Sequence, residues 1–140
     1  MLYGVGYTSA ELETLAMLRD LHTSALNLTL TGSRFFGTGS SISDWDFFAE
    51  VTPETVAELE CLGFRCIPNH VYLDSNTDSV YYKDNIHIQL VKNIEAKMIA
   101  QTYLLRIGIF KLETNKLKCY RIWEATYEVM GMEAFWKKVE

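Results

Sequence analysis

The spacing of apolar residues changes several times along this chain, and each change predicts a different element. Residues 8–22 carry leucines at helical spacing behind a Thr-x-x-Glu capping pattern, which predicts a helix over one face of a sheet. Residues 25–31 alternate leucine with asparagine or threonine, which predicts a half-buried strand. Residues 44–47 alternate acids with aromatics, and this pattern predicts a second strand.

The remaining pattern predicts a small mixed sheet flanked by helices. Short strands are expected at 64–67 and within 71–91, where a turn at 74–78 precedes the last two and these meet in a hairpin at Asp84 and Asn85. Helices are expected at about 52–62, 93–106 and 114–129, and a short apolar helix with Met132, Phe135 and Trp136 ends the chain. Thr52 and Asn93 are the expected N-caps of the first two helices, which are expected to end near Gly63 and Gly108. The fold class is therefore α/β (α+β) in one domain over 1–140, with a core at about 26–91 and C-terminal helices at about 93–138.

The composition favours a folded domain and excludes several classes of protein. Of the 140 residues, 49% are hydrophobic and 13% aromatic, which is too apolar for a disordered chain. The net charge of −5 gives no general attraction to nucleic acid, so such a partner needs a local basic patch or a metal. No apolar run approaches the roughly 18 residues of a membrane span. The 3 cysteines and the lack of a secretory leader predict a cytoplasmic protein with free thiols.

Two carboxylates stand out as candidate chemistry. Side chains alternate along a strand, so Asp44 and Asp46 point to one face while Trp45 and Phe47 point to the other, toward a core. Two carboxylates on one face repel each other unless a cation lies between them. This pattern predicts a site for a divalent metal, Mg²⁺ or Mn²⁺.

The turn upstream of these acids offers groups that bind phosphate. Gly32 and Gly37 allow positive φ and close backbone approach, a property that Gly39 shares. Ser33, Arg34 and Ser43 provide hydroxyl and guanidinium donors. A phosphate beside a metal is therefore the expected ligand of this region.

The same residues resemble the signature of the DNA polymerase beta superfamily of nucleotidyltransferases. The motif consists of Gly32-Ser33-Arg34, Gly37 and Ser43-Asp44-Trp45-Asp46, and Phe35 or Phe36 stands where relatives often have a small residue. The resemblance covers about residues 26–91 and is closest to small nucleotidyltransferase-like proteins of tailed phages. It implies that the Gly-Ser pair opens a helix and binds the triphosphate of a nucleoside triphosphate, that the Asp pair holds catalytic magnesium, and that the host cytoplasm is the location.

The resemblance also implies a third aspartate on a later strand, and this chain lacks it. His87 takes its place, or Gln89 if the strand register shifts by two residues. His87 is a potential metal ligand or general base, with less negative charge for Mg²⁺ and a shift toward Mn²⁺. The alternatives are that catalysis has been lost, that His87 is only a polar surface residue, or that Asp84 contributes from the hairpin tip.

The sequence is compatible with several functions. A metal site of this type would transfer a nucleotidyl group to a hydroxyl, or cleave a phosphodiester if water attacks instead. A degenerate core that grips a host protein of nucleic-acid metabolism, through Trp123, Phe135 or Trp136, is the contrasting class.

Two further patterns have ordinary structural explanations. Lysines and Arg121 interleave with aromatics after residue 110, which fits a phosphate-binding or base-stacking strip but is more typical of a solvated helix face with buried aromatics. Cys61, Cys66 and His70 resemble a zinc site but have no fourth ligand nearby, so buried structural cysteines are favoured.

Overall fold

The computed structural model describes residues 9–24, 26–40, 43–67, 74–111 and 115–130. The helices are α1 (Ser9–Thr23), α2 (Gly32–Phe36), α3 (Pro53–Cys61), α4 (Ile94–Ile107) and α5 (Lys116–Val129), with a 3₁₀ turn at Ile109–Lys111. The strands are β1 (Thr29–Thr31), β2 (Trp45–Glu50), β3 (Arg65–Cys66), β4 (Thr77–Lys83) and β5 (Ile86–Val91). In this part of the chain no helix has the length and apolarity needed to cross a bilayer.

The five strands form one mixed sheet in the order β1-β2-β5-β4-β3. The β2 and β5 strands pair in parallel, and the other three pairings are antiparallel. The α+β fold class and the mixed sheet predicted from the sequence are confirmed. The parallel pair at the centre of the sheet brings Asp46 opposite His87.

Two apolar cores lie on either side of this sheet. One packs the alternating residues of β2 and β5 against α1 and α3, with Leu21, Leu59 and Ile88 among its buried members. The second lies among α2, α4 and α5, with Phe36 and Trp123 among its buried members. Trp45 and Phe47 pack against the first core, as the alternation predicts. Asp46 and Phe48 therefore point to the opposite face, toward α4.

The predicted helix caps on α3 and α4 are confirmed. Thr52 Oγ1 accepts a hydrogen bond from Thr55 N at 3.1 Å, and Pro53 occupies the first position of α3. Asn93 Oδ1 accepts one from Ala96 N at 3.0 Å, and Gly108 ends α4 with a φ of 67°. The signals at Asn93 and Gly108 set the two ends of α4, the helix that covers the face carrying Asp46.

Three element boundaries differ from the prediction. The β1 strand has only three residues, because Leu26 and Leu28 pack on the first core without a hydrogen-bonded ladder. The β4 strand begins at Thr77 because Asp74 Oδ1 accepts from the Asn76 and Thr77 amides and ends the turn early. The α5 helix is capped by Asn115. The predicted cap at residue 8, the segment 71–73 and the C-terminal helix after residue 130 lie outside the described residues.

Candidate functional site

The predicted carboxylates and the predicted third residue lie together. Asp44 immediately precedes β2, Asp46 is its second residue, and His87 is the second residue of β5. His87 Nδ1 is 3.8 Å from Asp44 Oδ2 and 3.7 Å from Asp46 Oδ1. The side chains of Asp46 and His87 are each 29% exposed and that of Asp44 is 55% exposed. The cluster is therefore open to a solvent-borne ligand.

The register also decides between the two candidates for the third position. His87 is paired with Asp46, whereas Gln89 is paired with Phe48, one pleat further along the strand. Gln89 Oε1 accepts a hydrogen bond from Lys97 Nζ at 3.3 Å. His87, and not Gln89, is thus the residue that faces the carboxylate pair.

The cluster has the donor chemistry of a divalent metal site in a slightly open arrangement. Two carboxylates and one imidazole are suitable ligands for Mn²⁺ and, with less charge than three carboxylates, for Mg²⁺. Neighbouring ligands of a six-coordinate ion with bonds of about 2.1 Å lie roughly 3.0 Å apart, so these side chains would close by roughly 0.7 Å around one. Accordingly, among the described residues no group of three or more His, Cys, Asp or Glu holds a metal-binding arrangement as it stands.

Gly32 brings the backbone of the upstream turn directly against Asp46. Its φ is 72°, and a Cβ built on it would lie 2.5 Å from Asp46 Oδ2. No side chain other than hydrogen fits there, and L residues rarely adopt this φ. The glycine therefore sets how closely the turn and the carboxylates approach each other.

The segment after α2 folds back over the start of this helix. The backbone N–H groups of Gly37, Thr38 and Gly39 all donate to the carbonyl oxygen of Ser33, the last two at 2.9 and 3.0 Å. A Cβ on Gly39 would lie 3.1 Å from Ser33 Oγ. Gly37, with a φ of 76°, has nothing within 4 Å of the same built atom, so its role is the turn itself.

Arg34 and Ser43 hold the far end of this segment. The Arg34 guanidinium donates to the Ser43 carbonyl oxygen through Nη2 at 2.8 Å and Nε at 3.3 Å. It also stacks on Trp45, 4.0 Å from the ring centroid. Ser43 Oγ in turn accepts from Ser40 N at 2.8 Å. The structure thus gives Arg34 and Ser43 a positioning role that the motif alone did not indicate.

An open cleft of about 420 Å³ adjoins this segment. Its lining comprises Leu30, Arg34, Gly37, Gly39, Ser40 and Trp45. Leu30 and Trp45 belong to the face of the sheet opposite to Asp46. The cleft and the carboxylates therefore flank the turn from two sides.

A buried polar layer lies behind the carboxylates, under α4. Lys97 is 1% exposed, and its Nζ lies 3.6 Å from Asp74 Oδ2 and 3.8 Å from the ring centroid of Trp123. Burial lowers the pKa of Lys97, and the carboxylates of Asp74 and Asp46 oppose that shift. The sequence offered one signal for this residue, a lysine between Ala96 and Ala100 on the apolar side of the helix, but its burial was not predicted.

Two tyrosines of α5 border this layer. Burial raises the pKa of Tyr120 to about 12, and the carboxylates of Asp74 and Asp46 add to the shift. Burial likewise raises the pKa of Tyr127, with Asp74 as the next contribution. Both phenols therefore stay neutral over the physiological range.

The remaining sequence candidates fall outside the site. The expectation that Cys61 and Cys66 are buried is wrong: both are exposed, because Cys61 ends α3 and Cys66 lies on the two-residue edge strand β3. His70 lies outside the described residues. Trp123 and Tyr127 are buried in the second core. This agrees with the interpretation of the segment as a helix with one solvated face and buried aromatics. Asp84 lies in the exposed hairpin tip with a φ of 51°.

Comparison of the chain with protein families, curated proteins and solved structures finds no match.

Proposed function

We propose that this protein is a divalent-metal-dependent nucleotidyltransferase, which transfers a nucleotidyl group from a nucleoside triphosphate to a hydroxyl acceptor. One observation carries the proposal. His87 faces both Asp44 and Asp46 across adjacent strands, at 3.7 to 3.8 Å, with the backbone of Gly32 against Asp46. A glycine turn, two carboxylates and a third donor thus meet at one point, which suits a metal ion and a phosphate chain together.

Asp44 and Asp46 would hold the ion, and His87 would serve as the third donor through Nδ1. When bound, a divalent ion neutralises charge on the phosphate oxygens and on the leaving pyrophosphate. The imidazole replaces a negative ligand with a neutral one, so the donor set carries two formal charges and not three. We therefore expect Mn²⁺ to be favoured over Mg²⁺ more than at a three-carboxylate site.

The glycine turn would position the phosphates. Ser33 Oγ lies beside Gly39, whose lack of a side chain leaves the hydroxyl accessible to a ligand. Arg34 acts on the ligand indirectly, because its guanidinium is already bound to the Ser43 carbonyl and stacked on Trp45. This contact fixes the position of Ser43 relative to α2 before the ligand binds, which lowers the entropic cost of binding.

The proposed reaction is a single in-line displacement. The acceptor oxygen forms a bond to the α-phosphorus, the bond from that phosphorus to the bridging oxygen breaks, and pyrophosphate leaves with the electron pair. The proton of the acceptor hydroxyl passes to water or to a basic side chain. With water as the attacking group and a nucleic acid in place of the nucleoside triphosphate, the same site would instead cleave a phosphodiester: the water oxygen bonds to phosphorus and a sugar oxygen leaves.

The test is transfer of label from nucleoside triphosphates that carry ³²P at the α-position. Each nucleotide is incubated with the protein, Mg²⁺ or Mn²⁺, and an acceptor: RNA, DNA or the protein itself. We expect labelled acceptor and equimolar pyrophosphate, and loss of both in the Asp44→Asn/Asp46→Asn double variant.

Two outcomes would contradict the proposal. Product formation that survives the double substitution would place the chemistry elsewhere. Cleavage of the nucleic acid without incorporation of label would assign the site to phosphodiester hydrolysis. If the wild type shows neither incorporation of label nor cleavage, a protein-binding role for a degenerate core becomes the better account.

A further inference from the structure

The outward face of α4 exposes more apolar surface than a solvated helix requires. Met98 is 48% exposed, Ile99 39% and Tyr103 41%. At 100° per residue these three side chains, together with Glu95 and Arg106, lie within an arc of about 140° on the helix surface. The inward side of the helix is already occupied by the second core and the buried polar layer. The outer face is thus a separate surface.

The charges on this face are placed asymmetrically along the helix. Glu95 lies in the first turn of α4 and Arg106 in the last. The two residues are eleven positions apart, or about 17 Å along the axis. The apolar residues lie between them. A partner that complements this face needs a cation opposite Glu95, an anion opposite Arg106 and an apolar centre.

We propose that this face binds the same face of a second copy of the chain, with the two α4 helices antiparallel about a two-fold axis. In an antiparallel pair centred between residues 100 and 101, position 95 meets position 106 of the other copy. Position 99 meets position 102. One register therefore forms two Glu95–Arg106 ion pairs and two Ile99–Thr102 contacts at once, while Met98 and Tyr103 lie at the two edges of the contact.

Charge selects this arrangement over the parallel one. In a parallel pair Glu95 would meet Glu95 and Arg106 would meet Arg106, and such like-charge contacts are unfavourable. The two-fold symmetry also makes the surface self-complementary, as an isologous interface requires. A single helix pair buries less than standard interfaces do, so we expect a reversible dimer with a dissociation constant on the order of 10 to 100 µM.

The experiment is a charge swap followed by sedimentation. The wild type is expected to shift from monomer to dimer as its concentration rises. The Glu95→Arg and Arg106→Glu variants should each dimerise about tenfold more weakly or worse, because each places two like-charge pairs across the axis. An equimolar mixture of the two variants should dimerise as well as the wild type, since every pair in the mixed dimer is again Glu with Arg. The Glu95→Arg/Arg106→Glu double variant should do the same.

The mixture makes the test specific. Glu95 and Arg106 are both exposed, and they lie in the first and last turns of α4, where the helix dipole favours their native charges. The charge swaps could therefore lower the stability of the monomer, so the thermal melt of each variant is measured together with its sedimentation. A fold defect in either variant would not be repaired by mixing. A wild type that stays monomeric up to about 500 µM, above the range expected for a small interface, overturns the proposal. Single variants that dimerise like the wild type, or a mixture that does not recover, overturn it equally.

Discussion

His87 lies opposite Asp46 across the parallel pairing of β2 and β5, with its Nδ1 3.7 Å from Asp46 Oδ1. If this imidazole is the third ligand, His87→Asp should raise the affinity for Mg²⁺ relative to Mn²⁺, because a third negative charge favours the harder ion. His87→Ala should weaken the binding of both ions about tenfold or more, because at other metal sites even the loss of a group that only supports a ligand weakens binding by this much. Competition between the two ions, followed by the electron paramagnetic resonance of free Mn²⁺, measures both effects. Unchanged affinities in both variants would make His87 a surface residue.

The approach of Gly32 to Asp46 can be separated from the strain of a positive φ. Gly32→Ala and Gly37→Ala both place alanine at a φ above 70°, which costs about 1 kcal/mol of stability. Only at Gly32 does the new Cβ meet a neighbour, Asp46 Oδ2. We therefore expect a further loss of about 1–2 kcal/mol and displacement of this carboxylate in Gly32→Ala alone.

Urea unfolding and Mn²⁺ titration distinguish the two variants. Both should lose stability, and only Gly32→Ala should lose metal affinity. Equal metal affinity in the two variants would show that the close approach has no role in shaping the site.

The buried pair of Lys97 and Asp74 predicts strong energetic coupling. Removing one partner leaves an uncompensated buried charge, so Lys97→Met should cost about 3–5 kcal/mol in the free energy of unfolding. Asp74→Asn keeps an oxygen that can accept from the Asn76 and Thr77 amides. The loss in the free energy of unfolding of the Lys97→Met/Asp74→Asn double variant should therefore be smaller, by about 2 kcal/mol or more, than the sum of the losses in the two single variants. Additive losses in a urea double-mutant cycle would contradict this coupling.

The raised pKa of Tyr120 predicts a loss in the free energy of unfolding at high pH. Its phenol has a pKa of about 12 in the folded protein, against 10.0 for a free tyrosine. Because the pKa is higher in the folded protein, the unfolded phenol loses its proton first as the pH rises above 10. The free energy of unfolding therefore has its full value below pH 10 and falls until the pH has passed the folded pKa. At about 1.4 kcal/mol for each unit, the loss is on the order of 2 kcal/mol between pH 10 and 12.

The Tyr120→Phe variant isolates this effect, because the other tyrosines titrate equally in both proteins. The free energy of unfolding of the wild type should fall by about 2 kcal/mol relative to that of the variant as the pH rises from 10 to 12. A difference that stays constant with pH would mean that this phenol titrates equally in both states.

Local signals in the sequence were sufficient for most elements. The caps at Thr52 and Asn93 and the glycine ends at Gly63 and Gly108 depend on neighbours within a few residues, so they could be predicted without tertiary structure. The length of β1 could not be predicted in this way. Alternating leucines indicate which face of a segment is buried, but they do not indicate which of its backbone amides form hydrogen bonds with a neighbouring strand.

The site was predictable only in part for a similar reason. The Asp44 and Asp46 pair follows from strand alternation, but the pairing of Asp46 with His87 depends on the register between strands whose paired residues are 41 positions apart. The burial of Lys97 could not be predicted from the sequence either. Lysine is almost never fully buried without a partner, and its partner Asp74 lies in a distant turn. The hydrogen bond from Arg34 to the Ser43 carbonyl spans 9 positions, and no local pattern of residues indicates it.

The proposed function requires that Asp44, Asp46 and His87 bind a divalent cation beside a nucleotide. The most direct test is titration of Mn²⁺, observed by electron paramagnetic resonance, with and without a nonhydrolysable nucleoside triphosphate, on the wild type and on Asp44→Asn/Asp46→Asn. We expect one saturable Mn²⁺ site in the wild type, with tighter binding when the nucleotide is present, and no such site in the double variant. Equal binding by both proteins, or no binding by the wild type in either condition, would contradict the proposed function.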